Sequence, residues 1–188
     1  MGFHGNGVTV LNFDGTYRTQ KELFRFPHEW IDLTDIPETN LYCSEASLTE
    51  IEKRLRRRRT RGAVLIGSGN YHYVTYLLLK EMKEPFALVL FDHHTDAEQG
   101  EGRLISCGSW VAHALQQALL RKVVIVGPSF SPRHLRLSPN ITVLPFNDRD
   151  EWPNALLEAI PTRNVYISID KDALRHEDAV TNWDQGRM

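Results

Sequence analysis

Phe86-Ala87-Leu88-Val89-Leu90-Phe91-Asp92-His93-His94-Thr95-Asp96 decides how this chain is read. Its first six residues form an apolar run of strand length with no charge, as expected of a buried strand. The run then gives way to two carboxylates and two imidazoles within five residues. Asp92, His94 and Asp96 stand at i, i+2 and i+4, so an extended backbone past Phe91 would turn all three to one side. Such a set packs badly in a core and suits a divalent ion of the manganese, iron or zinc type. The competing reading is a polar loop after a strand, with Asp96 capping a helix. The same alternation turns His93 away, as a neighbour and not a ligand.

Two further stretches repeat the pattern. Asn164-Val165-Tyr166-Ile167-Ser168-Ile169 is an apolar strand leading into Asp170-Lys171-Asp172, and Asp170 and Asp172 share a face. Gly62-Ala63-Val64-Leu65-Ile66-Gly67 runs into Ser68-Gly69-Asn70-Tyr71-His72. Three strands thus deliver metal-type ligands at their C-terminal ends, the edge where open parallel sheets bind ligands.

These motifs, in this order, resemble those of the ureohydrolase superfamily: arginase, agmatinase, formiminoglutamase and their relatives. That family carries Gly-Gly-Asp-His, then Asp-x-His-x-Asp, then Asp-x-Asp. Gly69-Asn70-Tyr71-His72 is a degraded first motif that keeps its histidine; Asp92–Asp96 and Asp170–Asp172 match the other two. The resemblance covers roughly residues 8–172 and implies a three-layer α/β/α fold with a mostly parallel sheet. It implies two Mn(2+) ions per chain. His72, Asp92, Asp96 and Asp170 would hold one, and Asp92, His94, Asp170 and Asp172 the other. It also implies hydrolysis of a C–N bond in a guanidino or formimino compound by a metal-bridging hydroxide. Histone deacetylases share the fold with one zinc, and their motifs fit less well.

The departures from the family pattern bear on activity. Where the family has a proton-shuttling histidine, this chain has Cys107, in Ser106-Cys107-Gly108. A thiol with an ordinary pKa near ~8.5 can pass a proton, less readily than imidazole near neutrality. It is equally well read as a small buried side chain. Cys107 and Asp92 are therefore the candidate catalytic residues. Glu98 stands where arginases use an amide to hold the substrate's α-carboxylate, so it disfavours an amino-acid substrate and tolerates a cationic one. Lys171 replaces a usually apolar residue. One rival reading is a non-catalytic relative that keeps its metals for structure or partner binding. A second is a nucleotide-binding protein, resting on the turn Gly67-Ser68-Gly69 without a P-loop lysine.

Composition sets the outer limits. The 188 residues suffice for one domain with a sizeable core, and the hydrophobic share of 41% is ordinary. A net charge of −2 gives no reason to expect a nucleic-acid or membrane partner. Arg56 to Arg59 reads as a solvated helix end rather than a nucleic-acid patch. Two cysteines without a Cys-x-x-Cys spacing indicate neither a zinc finger nor a disulfide framework. No signal peptide or membrane-length apolar run is seen, so a cytoplasmic protein is expected, with a homo-oligomer left open. His113, His4, His28, His134 and His176 belong to no constellation.

Strands are expected at 8–13, 30–35, 62–67, 86–91, 122–127, 141–144 and 164–169. Helices are expected from a capping box at Ser47 through Leu55, and at about 71–83, 109–120 and 152–160, the last opened near Asp150 and Pro153. Segments 97–106 and 128–139 read as loops, the first able to close over a site. Strands alternating with helices give an α/β class with a parallel sheet and one domain over 1–188. Members of the resembled family continue to an eighth strand between the third and the seventh, followed by a substrate-contacting glutamate. Residues 173–188 contain no apolar run. The expectation is a fragment or a shortened relative, poorly active as it stands, in which another segment or chain fills the gap between the third and seventh strands, or those two strands pair with each other.

Overall fold

A computed structural model describes residues 7–99, 104–128, 137–146 and 152–188. The turn glycines Gly100 and Gly102, most of the 128–139 loop, Asp150, His4 and His134 lie outside them. The chain forms two compact units, Met1–Val74 with Gly100–Cys107, and Thr75–Gln99 with Gly108–Met188.

The first unit is built on β1 (Val8–Asn12), which pairs in parallel with β2 (Glu29–Asp32) and with the third expected strand (Ala63–Leu65). β1 stops where expected: Asn12 Oδ1 accepts the Gly15 N–H at 2.9 Å, and Gly15 takes φ 82, which glycine adopts without strain. A short antiparallel pair was not anticipated. β3 (Tyr42–Cys43) bonds to Ile105–Ser106, inside the stretch read as pure loop. Two-residue strands carry too little periodicity to be seen in sequence. Numbering in chain order makes Ala63–Leu65 β4 and Ile105–Ser106 β6.

Helix α1 (Glu45–Arg56) has its N-cap three residues before the expected one at Ser47. Ser44, in extended conformation, is the N-cap and accepts the Ser47 N–H at 3.3 Å. Ser47 is instead buried inside the helix and donates its hydroxyl to the Pro37 carbonyl at 2.7 Å. Ile51 and Leu55 continue its buried stripe. The arginines at the helix end are engaged. Arg54 forks onto Asp35 at 2.6 and 2.7 Å, Arg56 meets Glu52 at 3.0 Å, and Arg58 Nε donates to the Thr60 carbonyl.

The second unit is a four-stranded parallel sheet of order β8-β7-β5-β9, with β5 at Phe86–Phe91, β7 at Leu120–Val126, β8 at Ile141–Leu144 and β9 at Asn164–Ile169. Phe86 to Leu90 are all buried, as expected of a parallel strand covered on both faces. The helices are shorter than expected: α2 is Val74–Leu79, α3 is Trp110–Ala114 and α4 is Trp152–Ala159. A 3₁₀ turn at Gly69–Tyr71 precedes α2, and β7 already begins at Leu120, cutting the third helical pattern short.

The register places the site. Phe91 pairs with Val126 on one side and Ile169 on the other. Asp92 N–H donates to the Val126 carbonyl at 3.0 Å, and Asp170 N–H to the Phe91 carbonyl at 2.8 Å. Asp92 and Asp170 therefore leave the sheet at one level.

Within each sheet, β4 pairs only with β1 and β9 only with β5. Among the described residues these two strands do not pair with each other, and residues 173–188 contain no strand. Burial alternates along β9, so one of its faces is covered and the other open. Ser168 is buried, with its hydroxyl 3.5 Å from that of Thr75, while Ile167 and Ile169 are 60% and 65% exposed. No helix among the described residues is long and apolar enough to cross a membrane.

Candidate metal centre

The ends of β5 and β9 bring three of the expected ligands together. Asp92, His94 and Asp172 each offer one ligand atom, all within 4.8 Å of one another. Asp92 and Asp172 are buried at 1% and 2% exposure, and His94 is half-buried. His94 Nδ1 lies 3.0 Å from Asp172 Oδ2 and 3.6 Å from Asp92 Oδ1. The backbone holds the carboxylates in place. Asp92 Oδ1 accepts the His94 N–H at 2.7 Å, and Asp172 Oδ1 accepts the His93 N–H at 3.2 Å.

Asp96 joins from the same loop but not by simple alternation. Its φ of 49 puts it in the left-handed region, so the chain is no longer extended there. One of its carboxylate oxygens still lies within 4.8 Å of one on Asp92. Its Oδ2 accepts the indole N–H of the fully buried Trp110 at 2.6 Å, and its carbonyl accepts the Val111 N–H at 2.9 Å.

Asp170 stands beside this group without joining it. It caps the 3₁₀ turn Lys171–Ala173, where Oδ1 accepts the Asp172 N–H at 3.2 Å. Lys171 is exposed. Glu98 is exposed and donates its N–H to the Gly108 carbonyl at 3.0 Å. In the first unit, His72 is buried at the end of the Gly69–Tyr71 turn. Its neighbours are fixed: Tyr71 stacks on Phe13 at 4.3 Å, and Tyr73 donates its hydroxyl to the Thr39 carbonyl at 2.7 Å. Cys107 is partly exposed and donates its N–H to the Leu41 carbonyl. The amide of Gly67, in the turn that could cradle a phosphate, is taken by the Tyr17 hydroxyl at 2.9 Å.

Electrostatics favours a cation here. Hydrogen bonds to Asp172 and then Asp92 push the His94 imidazole up to about 11, against the opposing effect of burial. Burial pushes the Asp172 carboxyl up, and the charges of Asp92 and Asp170 add to this. Buried carboxylates crowded around one imidazole fit a divalent ion, which would neutralise them and take the imidazole lone pair in place of a proton.

One site residue was not legible in the motifs. Asp184, from a segment read as merely polar, reaches His94 Nε2 at 3.1 Å and His93 Nε2 at 3.6 Å. No spacing in the sequence sets it apart from other polar residues of that segment. His93 has Nδ1 buried without a hydrogen-bond partner among the described residues.

Known proteins agree with this architecture. A protein of Thermotoga maritima known only as "Uncharacterized protein" is 31% identical over 181 residues, covering 96% of this chain and 69% of its own. Proclavaminate amidino hydrolase from Streptomyces clavuligerus superposes with a TM-score of 0.67 at 16% identity, over 92% of this chain and 70% of that one. Formimidoylglutamase from Bacillus subtilis gives 0.61 at 14% identity, over 91% and 66%. Arginase from Bacillus subtilis gives 0.58 at 17% identity, over 92% and 77%. These likenesses show the fold, a three-layer α/β architecture with mostly parallel strands. The Arginase family model matches residues 10–180, which takes in the ends of β4, β5 and β9, and by that match the chain belongs to the arginase family.

Proposed function

We propose that this protein is a hydrolase that binds two divalent ions of the manganese type and cleaves a C–N bond of a guanidino or formimino compound. The observation that carries this reading is the convergence of Asp92, His94 and Asp172 at the flush ends of β5 and β9, in a chain of this family. Asp92, His94 and Asp172 hold one ion. Family resemblance supports Asp96, Asp170 and His72 as the residues completing the pair. When bound, the ions supply Lewis-acid activation of water near neutral pH.

The protein's own groups do the rest. Trp110 holds the Asp96 carboxylate in one orientation through its indole N–H. Glu98 offers a negative charge to a cationic substrate, which favours a guanidinium over an amino-acid end. Cys107 passes a proton at the place where relatives use imidazole. Neither Cys43 nor Cys107 forms a disulfide among the described residues, which suits a reducing compartment.

Metal analysis combined with a guanidino-compound screen tests the reading. Two ions per chain are expected, with urea or formamide release that depends on Mn(2+) and vanishes in Asp172→Asn. Metal binding without release from any guanidino or formimino compound would refute catalysis and favour a metal-holding relative. Absence of metal binding would refute the whole reading.

A further inference from the structure

Imidazole can bind a metal through only one of its nitrogens, and which one is set by the hydrogen bond the other makes. His94 has a carboxylate on each side. Nδ1 faces Asp172 Oδ2 at 3.0 Å and Asp92 beyond it; Nε2 faces Asp184 Oδ1 at 3.1 Å. The two nitrogens point away from each other. An ion on Nδ1 would therefore have Asp92 and Asp172 on its side of the ring, with Asp184 on the other.

Asp184 is exposed, but its backbone is tied to the ligand strand end. Gly186 N–H donates to the carbonyl of Asp172 itself at 2.6 Å, and Met188 N–H to that of Ala173 at 3.1 Å. A Cβ on Gly186 would fall 2.5 Å from the Ala173 carbonyl oxygen, so only glycine allows this approach. Gln185 Nε2 donates to the carbonyls of Leu174 and Ala179 at 3.1 and 2.6 Å. Trp183 packs edge-on against the His94 ring, with centroids 5.9 Å apart. The segment thus carries an acceptor to one nitrogen of His94 while its glycine grips the residue facing the other.

We propose that Asp184 is a positioning residue for the metal centre. It accepts the Nε2–H of His94 and leaves the Nδ1 lone pair for an ion held with Asp92 and Asp172. This rests on the metal-binding reading above, and deepens it by assigning a role to a residue outside the three family motifs.

The test compares wild type, Asp184→Ala and Asp184→Asn, titrated with Mn(2+) alone and with the thermal midpoint of each metal-free protein measured in parallel. The alanine variant should bind Mn(2+) about 10–100-fold more weakly, the usual cost of losing such a partner. The asparagine variant keeps an acceptor oxygen at the same reach and should recover part of that loss. Metal-free midpoints should stay together, because a positioning role does not hold the fold. Alanine-variant affinity equal to wild type would overturn the proposal while leaving the metal reading intact. An asparagine variant as weak as the alanine variant would also overturn it, since the hydrogen bond would then not be the cause. Absence of Mn(2+) binding by wild type would remove the metal reading and this proposal together.

Discussion

Trp110→Phe tests what holds the Asp96 carboxylate in place. Trp110 is fully buried, and its indole N–H reaches Asp96 Oδ2 at 2.6 Å. Phenylalanine keeps an aromatic ring at the site but removes the donor. Losing a hydrogen bond to a buried charged group costs about 1.5–3 kcal/mol. The void left by the smaller ring adds about 1 kcal/mol, at roughly 24 cal/mol per Å³. The expected destabilisation is about 3 kcal/mol, which for a chain of this size lowers the thermal midpoint by roughly 6–12 °C. Far-UV circular dichroism melts and urea titrations of the metal-free protein read it directly. Addition of Mn(2+) should then recover part of the loss, because an ion supplies Asp96 with the positive partner that the indole provided in part. A loss below about 1 kcal/mol would mean that the indole contact does not hold the Asp96 carboxylate, and the account of this corner of the site would be wrong.

Three other outcomes are expected. Gly127 has φ 131, and a Cβ there would lie 2.5 Å from the Asp92 carbonyl oxygen. Gly127→Ala should therefore cost about 1–3 kcal/mol in the urea midpoint and weaken Mn(2+) binding, and an unchanged midpoint would contradict the packing of β7 against Asp92. The Arg54 hydrogen bonds hold the Asp35 carboxyl down at about 2. Because the folded value is depressed, the stabilising contribution is complete above the ordinary carboxylate range and is lost as pH falls toward 2; NMR titration should show Asp35 returning to about 4 in Arg54→Ala. Cys107→His should raise hydrolytic turnover, since imidazole is the better acid–base group near neutrality, and unchanged or lower turnover would leave Cys107 as a packing residue.

The sequence by itself determined the α/β class, the main strands and the strand ends that carry the candidate ligands. Those signals are local: an uninterrupted apolar run such as Phe86–Phe91 reports burial on both faces, and a carboxylate after it reports the edge of the sheet. Asp92, His94 and Asp172 were legible for that reason. Tertiary structure decided what depends on partners distant in sequence. Asp96 reaches the site through a left-handed turn and the indole of Trp110, and not through strand alternation. Helix α1 begins at Glu45 because the extended Ser44 accepts the Ser47 N–H, while Ser47 itself is buried within the helix with its hydroxyl on the Pro37 carbonyl. The pair Tyr42–Cys43 with Ile105–Ser106 exists only through its ladder. Asp184 looked like any surface acid, and became part of the site only because Gly186 can approach the backbone beside Asp172 closely enough to carry it there.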